Sequence, residues 1–137
     1  MAGRPPVLKL LDIFFLVFHS VFTLFNMTGW IWEKTRKAHL VTVLLTACSW
    51  FVLGIWYGWG YCFCTDWHWQ VRAALGRPIR SDSYIHFLIL ELTGFNPPPH
   101  LVDAVTLAVF IGCAVLSIGL NLKDAVMKRG TARPAGS

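Results

Sequence analysis

Leu8 to Trp30 reads LKLLDIFFLVFHSVFTLFNMTGW, 23 residues carrying only Lys9 and Asp12 as charges. About 20 apolar residues rising ~1.5 Å each cover the ~30 Å hydrocarbon core of a bilayer, so this run is long enough to cross one as a helix. Its polar residues are few and ordered. Asp12, His19, Thr23 and Asn26 follow steps of 7, 4 and 3 and so share one helical face. Lipid offers such a stripe no partner. It is therefore expected to face other helices, which the rest of the chain must supply.

The composition agrees. Hydrophobic residues make up 55% of the 137 and charged residues 14%, and the apolar residues are gathered into long runs. That pattern defines one integral membrane domain, 1–137, of the all-α class. A β-barrel would alternate apolar and polar residues in ~10-residue segments instead. The formal charge of +5 is scattered over helix ends, which does not favour nucleic acid as a partner. The four cysteines are too dispersed for a disulfide scaffold, and Cys48 and Cys113 sit inside apolar runs as small hydrophobes. The first run is too long for a typical signal peptide and no small-x-small site follows it, so it is read as an uncleaved span.

Four spans are expected, at about 7–30, 38–60, 81–96 and 99–126, forming an integral membrane four-helix bundle. Trp30 and Trp32 mark one headgroup level, and Trp56, Trp59 and Tyr61 another. In the second span, His39, Thr42, Thr46 and Ser49 form a second stripe, and Gly54 and Gly58 a GxxxG pair suited to close helix contact. A short interfacial helix, about 65–75, separates the second and third spans. Thr65 is its expected N-cap and Gly76 its stop, with Trp67 and Leu75 towards lipid and Arg72 towards water. The third apolar segment is the shortest and carries His86 and Glu91; it is expected to span with local thinning of the bilayer, the alternative being a buried or re-entrant helix. The last span has the clearest stripe, from Asp103 through Thr106, Phe110, Cys113, Ser117 and Asn121 to Asp124. Beside it runs a ridge of Ala104, Ala108 and Gly112. The tail, 128–137, is expected to be flexible.

With four spans, the N-terminus, the Cys62–Ser81 loop and the C-terminus share a side that carries nine basic residues. The other side has Lys34, Arg36 and Lys37 alone. The excess places both termini in the cytoplasm.

The candidate chemistry is an intramembrane polar cluster. His19 lies near the middle of its span, and His86 and Glu91 bracket the middle of theirs, with Asn26 and Ser117 in reach. His39 and His100 lie together at the outer end. Two imidazoles at matched depth are a means of holding haem or a metal. An imidazole with a carboxylate is a means of holding a quinone headgroup or relaying a proton. The same residues also suit a hydrogen-bonded core that fixes helix register. No HxxxH or other metal motif is present, so no metal or cofactor is assigned. Cys62 and Cys64 are a candidate thiol pair, although one intervening residue makes a strained disulfide. No phosphate loop, nucleophile elbow or catalytic carboxylate pair is present, which favours a protein that is not an enzyme. The expected role is an accessory or structural component packing with other membrane proteins in the lipid bilayer. The alternative is a redox protein built on His19, His86 and Glu91.

Several short motifs occur in a fixed order: His19 with Phe22 and Phe25; His39-Leu40; Gly58-Trp59-x-x-Cys62-x-x-Thr65 before a basic helix ending in Gly; and His86-Phe87-Leu88 before a proline-rich turn. In this the chain resembles small bacterial four-helix membrane proteins catalogued as a domain of unknown function, over about residues 8–122. Cys64, His68 and Ile85 depart from that pattern. The resemblance implies an inner-membrane four-helix protein and no activity.

Overall fold

The computed structural model describes Gly3 and residues 5–132. Among them are five helices and no strand: α1 (Pro6–Thr28), α2 (Arg36–Tyr57), α3 (Phe63–Ala74), α4 (Tyr84–Thr93) and α5 (Pro99–Thr131). Three of these, α1, α2 and α5, are long and apolar enough to cross a membrane.

Sequence chemistry accounts for their limits. Proline opens α1 and α5, at the helical positions where its missing N–H leaves nothing unpaired. The turn after α1 is held by Thr35, whose hydroxyl donates to the Gly29 and Trp32 carbonyls. Within α2, residues Cys48–Leu53 form a π-helical turn, which re-phases the faces on either side. Ser49 in that turn donates to the Tyr61 carbonyl at 2.8 Å and ties down the following loop. Gly58 then ends α2 at φ 105°, a conformation that strains any residue with a Cβ. The expected GxxxG contact is therefore absent: Gly58 is the helix stop, and a Cβ there would meet nothing within 4 Å.

Of the four expected spans, the third corresponds to α4, which is not among these three long helices. At 10 residues it is about 15 Å long, half the thickness of a hydrocarbon core. Its N-terminal residue Tyr84 lies against His19 and Phe15 of α1, and His86 holds Asn96 and Pro97 just before α5. So α5 starts at the end of the bundle where α1 starts. At the far end, Arg36, which opens α2, pairs with Asp124 of α5 at 3.0 Å. Thus α1 and α5 run parallel, with α2 antiparallel to both. Pro6 and Thr131 lie at opposite ends, whereas four crossings would have put them together. The last helix also runs on to Thr131, through the first residues of the expected tail; 133–137 lie outside the described residues.

The largest buried apolar cluster is not central. Tyr84, Phe87 and Leu88 of α4 pack with Leu16 and Trp69 near the Pro6 end. There α3 lies against α1. It begins at Phe63, two residues before the expected start, and its inward stripe is Thr65, His68, Arg72 and then Leu75. Trp67 is exposed, but Leu75 and Arg72 are buried at 2% and 5% exposure, the reverse of their expected placement. The reason is Asp12: a carboxylate on the inward face of α1 draws Arg72 in, and Leu75, one turn on, follows.

Candidate functional site

The polar residues form two separate clusters and a latch. The first surrounds Asp12, 5% exposed. Its Oδ1 accepts from His68 Nε2 at 2.8 Å and from Arg72 Nη1 at 3.4 Å, and its Oδ2 from Arg77. His68 is fully buried between Phe15, Trp69 and Phe87. Burial lowers its pKa below the usual histidine value, against a smaller opposing pull from Asp12. A neutral ring that donates from Nε2 must accept at Nδ1, and the Tyr84 hydroxyl donates there at 2.8 Å. Burial raises the Tyr84 pKa, which keeps this phenol protonated. Arg72 also stacks over the Phe87 ring at 4.7 Å and reaches Glu91 at 3.8 Å.

His19 joins this cluster through Tyr84 alone, stacked at 3.8 Å between ring centroids. Its Nδ1 and Arg72 Nε are buried and meet no protein hydrogen-bond partner among the described residues. The Asp12 cluster is thus charged and aromatic-walled.

The second cluster centres on His39, also fully buried. Its Nε2 donates to the Asn26 carbonyl at 2.8 Å, so its Nδ1 accepts from the Ser117 hydroxyl at 2.9 Å. Asn26 is in the last turn of α1, where backbone carbonyls lack helical partners. Three more groups satisfy that end: Cys113 Sγ reaches the Met27 carbonyl, Arg36 Nε donates to Trp30 and Thr35 to Gly29. Thr42 donates to the Asn26 side chain at 2.9 Å, and Asn26 donates to Thr46 at 3.3 Å. Gly29 makes the approach possible, since a Cβ there would meet the Phe25 carbonyl oxygen at 2.8 Å and the His39 ring at 2.9 Å. This cluster knits α1, α2 and α5 with neutral groups.

The latch is His86. Its Nε2 donates to Asn96 Oδ1 and the Pro97 carbonyl, both at 3.0 Å, and its Nδ1 accepts from Ser81 at 2.7 Å. It fastens the segment before α4 to the turn before α5.

The expected cluster of His19, Asn26, His86, Glu91 and Ser117 is therefore divided. His19 stands in the Asp12 cluster with Glu91 at its edge; Asn26 and Ser117 belong to His39; His86 is apart. His39 and His100 sit at opposite ends, because α5 runs parallel to α1, and His100 is exposed in the first turn of α5. No group of three His, Cys, Asp or Glu among the described residues is arranged to hold a metal. Cys62 and Cys64 are free thiols. Burial, with Cys62 beside it, pushes the Cys64 thiol up to about 11, away from the thiolate that redox chemistry needs.

His68 was missed as a functional residue. The signal was present: Thr65, His68, Arg72 and Leu75 follow steps of 3, 4 and 3, as in the stripes of the longer helices. The apolar face through Trp67 and Val71 obscured it.

No curated protein and no solved structure matches the chain. A family model described as "Protein of Unknown function (DUF2784)" matches residues 9–122. That match covers most of the chain and takes in both clusters and the latch, and the protein belongs to this family.

Proposed function

We propose that the protein is a three-span accessory component of a bacterial inner membrane that packs against other membrane proteins. The observation that carries this is the closure of its polar interior. The rings of His39, His68 and His86 each spend both nitrogens on protein groups from other segments, which fixes helix register and leaves none of the three free for a ligand. Outwardly, Ala104, Ala108 and Gly112 of α5 are exposed in steps of four, a ridge that lets another helix approach closely.

Lysine and arginine counts support an orientation. With three crossings, the Pro6 end carries Lys9, Arg72, Arg77 and Arg80 among the described residues. The opposite end carries Lys34, Arg36, Lys37, Lys123, Lys128 and Arg129. Six against four favours the Thr131 end as cytoplasmic. In this orientation the Pro6 end and the Cys62–Ser81 segment face outward.

A photo-crosslinking residue at Ala108 tests the role in native membranes. Adducts with one discrete membrane protein are expected, lost when Gly112 is replaced by leucine. Adducts with lipid only, or a purified protein with a haem or quinone absorbance band, would contradict it.

A further inference from the structure

At the Thr131 end, the start of α2 and the last turns of α5 line a cavity of about 390 Å³. Four of its lining residues are basic, Lys34, Arg36, Lys37 and Lys128, and two are acidic, Glu33 and Asp124, a net charge of +2. Arg36 and Asp124 neutralise each other at 3.0 Å. Lys34, Lys37 and Lys128 form no ion pair among the described residues, so the positive charge in the groove is unspent. A second cavity of about 210 Å³ shares Glu33, Asp124 and Lys128 and extends the groove along α5.

The frame is rigid where it meets the groove. Asn121 donates to the Arg36 carbonyl at 3.1 Å, and Arg36 Nε to that of Trp30 at 3.2 Å. The positive end of α2 opens here as well, with no side-chain cap from Thr35 and no acidic residue in its first turn.

A second feature defines what kind of anion fits. Towards the bilayer, Leu44 lies two turns beyond Lys37 on α2 and is 53% exposed. On α5, Ile118 lies one turn below Asn121 and is 45% exposed. The basic mouth thus stands above exposed apolar side chains on both helices. Inorganic phosphate would use only the mouth, whereas an amphiphile with an anionic head uses both.

We propose that this groove binds the phosphate of an anionic phospholipid, with its acyl chains along Leu44 and Ile118. The assignment rests on the membrane-spanning reading of α1, α2 and α5, and it extends that reading to a defined lipid class. Basic residues near an anionic membrane surface contribute about 1 kcal/mol each, roughly fivefold in affinity.

The test uses the full-length protein in phosphatidylcholine nanodiscs, titrated with phosphatidylglycerol while the unfolding temperature and the co-retained lipid are measured. Wild type should rise in stability and retain phosphatidylglycerol over phosphatidylcholine. Lys34→Gln/Lys37→Gln/Lys128→Gln should bind it roughly 100-fold more weakly, by the same arithmetic. Lys9→Gln/Arg80→Gln, which removes two basic charges at the other end, should behave as wild type. Equal retention of the two lipids by wild type would overturn the assignment while leaving the membrane reading intact. So would undiminished preference in the triple variant, or the same stabilisation by inorganic phosphate alone. Failure to enter nanodiscs at all would sink the membrane reading itself.

Discussion

The two ends of the bundle solve the same problem in different ways. Around His39, every buried side chain is neutral, and donors and acceptors pair off completely across three helices. Around Asp12, a carboxylate is met by a histidine and two arginines, while His19 Nδ1 and Arg72 Nε meet no protein partner among the described residues. The neutral cluster sits between long helices, where an unpaired charge has nowhere to go. The charged cluster is roofed by the short helices α3 and α4, which bring the counter-charges. A buried charge is tolerable only with such a supply, so the short helices are there because Asp12 is.

The largest effect should come from breaking the charged cluster. Asp12→Asn leaves Arg72 buried with Glu91 at 3.8 Å as its remaining carboxylate. Removing one partner of a buried pair costs about 3–5 kcal/mol, to be read from denaturant unfolding in detergent. Asp12→Asn/Arg72→Met should recover much of that loss, because the stranded charge is its cause. A double variant no better than the single would contradict the account of α3.

Next is the neutral cluster's closest approach. Gly29→Ala places a methyl group 2.8 Å from a backbone oxygen and 2.9 Å from the His39 ring. A loss of about 1–3 kcal/mol is expected, as for overpacked sites generally. Alanine at Gly112, where nothing lies within 4 Å, is the control and should be close to neutral.

The clusters should also differ in their response to acid. The folded-state pKa of His68 is depressed below the unfolded value near 6.5. Its contribution is therefore fully present above about pH 6.5 and is lost as pH falls towards the folded value, with a slope of at most about 1.4 kcal/mol per pH unit for one proton. Thermal unfolding between pH 7.5 and 5 should show that slope, reduced in His68→Gln. An unchanged slope in that variant would remove His68 as its source.

The smallest effect is expected at Ser117. Ser117→Ala takes the donor from His39 Nδ1, and interhelical polar bonds in membranes average only about 0.6 kcal/mol. A loss several times larger would mean that the neutral cluster is as stressed as the charged one.

Much of the bundle was legible in the sequence. The stripes on the long helices came from 3-4 spacing, and the structure turns His19, His39, Cys113 and Ser117 inward as those stripes require. What spacing does not carry is which stripe meets which. Matching His19 with His86 by depth assumed that the Tyr84–Thr93 segment crosses the bilayer. Once that segment is a 10-residue helix at one end, the depths on α5 reverse and Ser117 moves to His39. The Asp12 site was hidden for another reason: its partners lie 56 to 65 residues away, on and just after a helix whose apolar residues suggested a lipid-facing surface.

The parallel course of α1 and α5, with both short helices at one end, is the claim on which the separation of the two clusters depends. Single cysteines at Arg80 and Lys128, in a chain with its four native cysteines replaced, test it with a membrane-impermeant maleimide. Applied to intact cells and then to opened membranes, the reagent should reach the two positions from opposite sides, Arg80→Cys from outside and Lys128→Cys only after opening. Labelling of both from the same side would restore the fourth crossing and contradict the fold.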